Sequence, residues 1–221
     1  MISKINSSEL LRDVSLEYIH ITNDTILELT TSCYDILYLV NGECRVDDDK
    51  GVVRLSKYSP TILHAGFHSI VCHVGDDALF ELVIIHVERR ELFNCAMEVS
   101  REQQRFETAV LKGVASNISV EELSSMCYLS VSTFKRRFHD YYHIPPHRWF
   151  LCRRLEIASA ILHKTSLPTF TIARLCGFIN VSHFIATFKR RYGTTPSRLM
   201  RREAGCVKLS SLSSRLSSQI G

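Results

Sequence analysis

The feature that most constrains this chain is an internal repeat. Leu123, Ser124, Met126, Cys127 and Leu129 recur as Ile172, Ala173, Leu175, Cys176 and Phe178 at a spacing of 49. Phe134, Phe138, Tyr142 and Pro146 recur as Phe184, Phe188, Tyr192 and Pro196 at a spacing of 50. The one-residue slip falls between the two matched blocks, where a turn absorbs it. Each copy reads as helix, turn, helix, a bihelical corner whose second helix fits the major groove of B-DNA. Two corners imply two grooves.

Charge divides the chain. Residues 1–98 hold 8 Lys and Arg against 16 Asp and Glu, whereas residues 99–221 hold 19 against 7, so a formal net charge of +4 hides an acidic half and a strongly basic one. A basic surface on a helical unit is the electrostatic footprint of phosphate binding. With no apolar run of about 18 residues, and no basic start and apolar core in Met1 to His20, the expectation is a cytoplasmic protein with no membrane partner. The eight cysteines lack C-x-x-C pairs or zinc-ligand spacing, which predicts reduced and mostly buried thiols.

The basic half divides into elements. A helix near Glu102 to Ala115 turns Phe106, Ala109, Val110 and Val114 inward, and Ser119 with Glu122 forms a capping box for the next. After a turn at Tyr128 and Leu129, Ser130 caps a first recognition helix. Along it Phe134, Phe138 and Tyr141 share a core side, while Ser132, Lys135, Arg136 and His139 share an outward one at i, i+3, i+4, i+7. Pro145 and Pro146 open a spacer helix to about Lys164, on the order of 27 Å long at 1.5 Å per residue. Pro168 and Thr169 start the second corner, Gly177 supplies its turn, and Asn180 or Val181 opens its recognition helix. The outward face there is Ser182, Ile185, Ala186 and Lys189, a less polar set suited to thymine methyls, or to phosphate contacts through Lys189 and Arg190.

The acidic half predicts a β-meander or small barrel. Runs at Ile36–Val40, Glu43–Val46, Val52–Leu55, Thr61–His64, Ser69–Val74 and Leu79–Val87 are β-prone, with Asn41-Gly42 as a hairpin signal between the first two. From Glu88 the pattern turns helical, and a stripe of Leu92, Cys95 and Ala96 offers a dimerisation surface. His64, His68, His73 and His86 lack the H-x-H and following Glu of a cupin metal site and are assigned as ordinary surface or core histidines. The tail from Val207 to Gly221, with six serines, is expected to be disordered.

With "RLEIASAILH" in the spacer and "IARLCGFINVSHFIATFKRRYGTTP" in the second corner, residues 101–203 resemble the DNA-binding domain of AraC/XylS-type bacterial transcription regulators. The resemblance implies two recognition helices in successive major grooves of a promoter, generally to recruit RNA polymerase. It places base readers at Ser132, Lys135 and Arg136, and at Val181, Ser182 and Ala186. His143 stands where the first corner ordinarily has glycine, and Ala186 where the second recognition helix often has arginine. "LYLVNGECRV" and "TILHAGFHSI" resemble that family's cupin-like sensor domain more loosely, with Tyr58-Ser59-Pro60 replacing its Gly-Asp.

The expectation is therefore an α+β chain: an acidic cupin-like β-domain over 1–98, a basic all-α domain over 99–206 with two helix-turn-helix motifs joined by a long helix, and the tail. The expected function is a DNA-binding transcription activator, with double-stranded promoter DNA and RNA polymerase as partners, a homodimer through the N-terminal domain, and no catalytic residue, metal or cofactor. Whether a small-molecule effector binds is left open. The alternative is an antagonist that binds a related regulator without reading DNA.

Overall fold

The computed structural model describes residues 15–87 and 100–201. The first stretch forms one antiparallel sheet of β1 (Ser15–Ile21), β2 (Thr25–Asn41), β3 (Glu43–Asp48), β4 (Gly51–Arg54), β5 (Pro60–His73) and β6 (Phe80–Val87), in the order β1-β6-β2-β5-β3-β4. The second is helical: α1 (Arg101–Ala115), α2 (Val120–Met126), α3 (Val131–Tyr142), α4 (Pro146–Lys164), α5 (Thr169–Leu175) and α6 (Val181–Tyr192), with residues 196–201 helical beyond them. The fold is α+β. The stripe of Leu92, Cys95 and Ala96 and the serine-rich tail lie outside the described residues.

The sheet is not a meander. β2 and β5 are long strands, and a register shift between Thr31 and Tyr34 divides their pairing into two blocks. Residues 34–41 of β2 lie beside β6, while residues 66–73 of β5 are flanked by the start of β2 and by β3. The predicted hairpin at Asn41-Gly42 does not form, because β2 and β3 do not pair with each other and both pair with β5. Gly42 is instead a corner. Its φ is +82°, and a Cβ would come within 2.6 Å of the His73 carbonyl oxygen, so glycine is required both by conformation and by space. The true two-residue hairpin is at Asp49-Lys50, where the Asp48 carboxylate accepts from the Lys50 and Gly51 amides. The expected breaks between 61–64 and 69–74 also close, as β5 runs through both.

Alternation along β2 and β6 sorts the side chains to two faces. Leu37, Leu39, Leu82 and Ile84 point into the sheet's own core with Val46, Leu63, Ile70 and Phe80. Ile36, Tyr38, Val40, Val83 and Ile85 point the other way and share a core with the helices. Burial on both faces explains the unbroken apolar runs of these two strands. The buried Tyr38 hydroxyl donates to the Ala115 carbonyl at 3.0 Å, Lys164 Nζ donates to the Leu16 carbonyl at 3.0 Å, and the Arg174 guanidinium lies 4.7 Å over the Tyr58 ring. A cleft of about 980 Å³ remains between sheet and helices, lined in part by Tyr18, Lys57, Tyr58, Leu162 and Lys164.

The helices begin where their caps dictate. Ser100 accepts from the Gln103 amide, Ser119 and Glu122 complete a capping box, Ser130 accepts from Thr133, and Asn180 accepts from His183. Pro146 sits in the first turn of α4, where no amide is needed. Phe106, Phe134, Phe138, Trp149 and Phe150 interlock in the first corner, and Phe178, Phe184, Phe188 and Tyr192 in the second. Tyr141, expected on the core stripe, is 38% exposed and stacks on the outside of Phe106.

No disulfide joins the described cysteines, and Cys44, Cys72, Cys127 and Cys176 are buried. Of the four histidines, His68 is buried beside Asp48, His73 meets Asp24, His86 meets Asp35 and Glu17, and burial pushes the His64 pKa down. Among the described residues no cluster of metal-ligating side chains forms, and no helix is long and apolar enough to cross a membrane.

Candidate nucleic-acid interface

The repeat in sequence is a repeat in hydrogen bonding. The Leu129 amide donates to the Ser124 carbonyl at 3.0 Å in the first turn, and the Phe178 amide to the Ala173 carbonyl at 2.9 Å in the second. Both turns pass through the left-handed region, at Tyr128 (φ 56°) and Gly177 (φ 74°). The ends of α3 and α6 do so again, at His143 (φ 57°) and Gly193 (φ 72°). His143 thus adopts the left-handed conformation itself, at a cost of roughly 1–2 kcal/mol that Gly193 avoids. The one-residue slip resolves to Ile179: Ser130 caps α3 directly after Leu129, whereas Ile179 intervenes between Phe178 and the cap Asn180. Ile179 is 91% exposed.

On α3 all four expected readers, Ser132, Lys135, Arg136 and His139, are exposed and lie on one helical face. Ser132 Oγ is 3.0 Å from the capping hydroxyl of Ser130, which fixes the start of that face. Lys135 and Arg136 make no ion pair among the described residues. The next residue differs: Arg137 turns inward, pairs with Glu102, donates to Gln103 and lies 4.9 Å over the Phe106 ring. One guanidinium is tied down to orient α3 on α1, and its neighbour is left for a partner.

α6 repeats this division with fewer polar groups. Ser182, Ala186, Lys189 and Arg190 are exposed, and neither Lys189 nor Arg190 makes an ion pair among the described residues. Val181 and Ile185 are half-buried against the helical core. They therefore offer edges rather than whole side chains to a ligand. His183, in the first turn of α6, is exposed on the flank of this face and was not anticipated. The slip in the repeat marks Ile179 at the same place.

Arg191 is the counterpart of Arg137. Its Nη2 meets Glu156 Oε1 at 2.5 Å, while Arg153 Nη1 meets Glu156 Oε2 at 2.7 Å, so Glu156 bridges two guanidiniums and fastens α6 to α4. Arg154 donates to Asn117 at 2.8 Å, joining α4 to the loop before α2. That loop also approaches Gly177, where a Cβ would lie 3.1 Å from the Asn117 nitrogen and φ is positive. The two corners are thus held on one continuous α4 of 19 residues, about 28 Å long.

Comparison with known proteins matches residues 123–202 to a family described as a helix-turn-helix domain. The probable transcriptional regulator LumQ of Photobacterium leiognathi is 40% identical over 81 residues, 37% of this chain and 33% of that protein. The HTH-type transcriptional regulator ExsA of Pseudomonas aeruginosa is 27% identical over 107 residues, 48% of this chain and 38% of that protein. The chain thus spans about a third of the length of these curated relatives. Among solved structures, the C-terminal domain of the two-component response regulator yesN from Fusobacterium nucleatum aligns at 26% identity and a TM-score of 0.42, covering 46% of this chain and 99% of that one.

Proposed function

We propose, from the match of residues 123–202 to a helix-turn-helix domain family, that the chain is an AraC-type, sequence-specific DNA-binding transcription regulator and acts as an activator. The observation that carries this reading is the pair of solvent-facing cationic surfaces on α3 and α6, whose charges make no ion pair among the described residues while the adjacent Arg137 and Arg191 are consumed internally. In this reading α3 reads bases in one major groove through Ser132, Lys135, Arg136 and His139. α6 enters the next groove, where Lys189 and Arg190 hold phosphates and Ser182, Ala186 and the edges of Val181 and Ile185 face the bases.

Residues 1–98 form the association unit and 99–206 the DNA-binding unit, with promoter DNA, RNA polymerase and a second copy of the chain as partners in the cytoplasm. The reading involves no catalytic step. Purified full-length protein should retain promoter DNA with an affinity whose logarithm falls by about 0.9 per neutralised phosphate for each unit of log salt. Genome-wide occupancy then identifies the promoters. A folded chain that retains no DNA at low salt, yet binds a related regulator, overturns the reading in favour of an antagonist.

A further inference from the structure

We propose that Cys44 and Cys72 form a reversible dithiol–disulfide site that a hydroperoxide oxidises. The two residues lie directly opposite each other on β3 and β5, on the face of the sheet that turns to its own core. The Leu55 amide donates to the Cys44 carbonyl at 2.9 Å, so the backbone groups of Cys44 point to β4 and its pairing with Cys72 is of the non-hydrogen-bonded type. Such pairs have Cα atoms about 4.5 Å apart and the closest side chains of an antiparallel ladder. A disulfide needs Cα atoms about 4.4–6.8 Å apart, so the two strands already stand at bonding distance for their sulfurs. The register at this end of the sheet is pinned. Asp24 accepts from the Val74 amide at 2.9 Å and meets His73 Nδ1 at 2.9 Å, and the Gly42 corner closes on the His73 carbonyl.

The two thiols are unequal. A hydrogen bond between them pulls the Cys72 thiol below its ordinary pKa and pushes Cys44 up; burial adds to the rise at Cys44 and opposes the fall at Cys72. Cys72 is therefore the attacking sulfur and Cys44 the resolving one. The Cys72 thiolate attacks one peroxide oxygen, forming an S–O bond and breaking the O–O bond, and the departing hydroxide takes up the proton Cys72 released. The Cys44 sulfur then attacks the Cys72 sulfenic acid, the S–S bond forms, and the S–O bond breaks with loss of water that carries the Cys44 proton. Two thiols lose two electrons, and one peroxide becomes two waters. Both sulfurs are buried, and the way to them is the edge of the sheet. All four residues of β4 are exposed and the strand pairs only with β3, so its local opening admits an oxidant little larger than water. In a reducing compartment the pair rests as thiols, and a disulfide formed there is transient, as in redox sensing.

The inference is independent of DNA reading, and its test is run without DNA. Reduced full-length protein is treated with stoichiometric hydrogen peroxide, its remaining thiols are alkylated, and its peptides are mapped by mass spectrometry without reduction. The chain should lose two of its eight thiols, with Cys44 joined to Cys72, and dithiothreitol should restore both. With a 1,3-dione present to trap sulfenic acid, Cys44→Ala should carry the adduct at Cys72, whereas Cys72→Ala should leave Cys44 unmodified, with circular dichroism confirming that each variant is folded. The wild-type map decides the proposal even where a variant does not fold. A chain in which Cys44 and Cys72 stay reduced while other cysteines are consumed, or in which they join only after unfolding in urea, overturns the proposal. An adduct on Cys44 and none on Cys72 overturns the assigned order of attack.

Discussion

Replacing Glu156 with alanine should be among the most damaging single changes in the helical unit. Its side chain is 13% exposed, that of Arg153 6% and that of Arg191 21%. Burial pushes the Glu156 pKa up and outweighs the downward pull of the two guanidiniums, so the carboxylate depends on both partners to stay charged in this site. Without it, two adjacent cations remain in a site too dry to solvate them. Removing one member of a buried ion pair costs about 3–5 kcal/mol, and the partial exposure of Arg191 argues for the lower end. For a chain of this size about 3 kcal/mol corresponds to roughly 6–12 °C in the melting temperature. The decisive comparison is with Arg153→Met, Glu156→Leu and Arg191→Met combined, since replacing all the charges by apolar groups is often neutral or stabilising. Calorimetry of both variants decides the matter. A shift under about 2 °C for Glu156→Ala, or equal losses in the two variants, refutes the claim that stranded buried charge is the cause.

Two further outcomes follow from local geometry. His143→Gly should raise stability by up to about 1 kcal/mol, measured by urea unfolding, because relief of the left-handed strain outweighs the added freedom of glycine in the unfolded chain. Glu122 is held below the usual carboxylate range, first by the Ser119 amide and then by its hydroxyl. A depressed carboxylate contributes stability that is present above its unfolded pKa and lost as pH falls through the folded one. Melting temperature should therefore fall at acidic pH, and Glu122→Gln, which keeps an acceptor but does not titrate, should make that fall shallower.

The helical half was legible because its signals are local. Ser119 with Glu122, Ser130, Pro146 and the 3.6-residue stripe of Phe134 and Phe138 each fix an element without reference to distant residues. β1 and the first half of β2 lie outside the expected strands, although Leu27, Leu29 and Thr31 alternate with Ile26, Glu28 and Thr30 in the two-residue period of a half-buried strand, a signal weaker to the eye than the apolar runs that follow. Asn41-Gly42 misled for a related reason: the dipeptide reports a left-handed backbone, and which strands flank it is decided by β5. On α6, Val181, Phe184, Ile185 and Phe188 form one wide apolar stripe, so Ile185 is drawn toward the core despite its place on the expected outward face. The difference between Arg136 and Arg137 depends on Glu102, 35 residues earlier than Arg137, and no spacing rule foretells it.

The central claim is that α3 reads sequence while α6 mainly holds the backbone. It is tested most directly by binding of wild type, Arg136→Ala and Lys189→Ala to a panel of single-base operator variants at two salt concentrations. A bidentate arginine contact to guanine is worth about 1–3 kcal/mol of discrimination, so Arg136→Ala should flatten the preference in the first half-site. Lys189→Ala should weaken all sequences alike and reduce the salt slope by about one. If Arg136→Ala leaves the preference profile intact while substitutions at Ser182 or Ile185 reshape it, α6 is the reader and the account is contradicted.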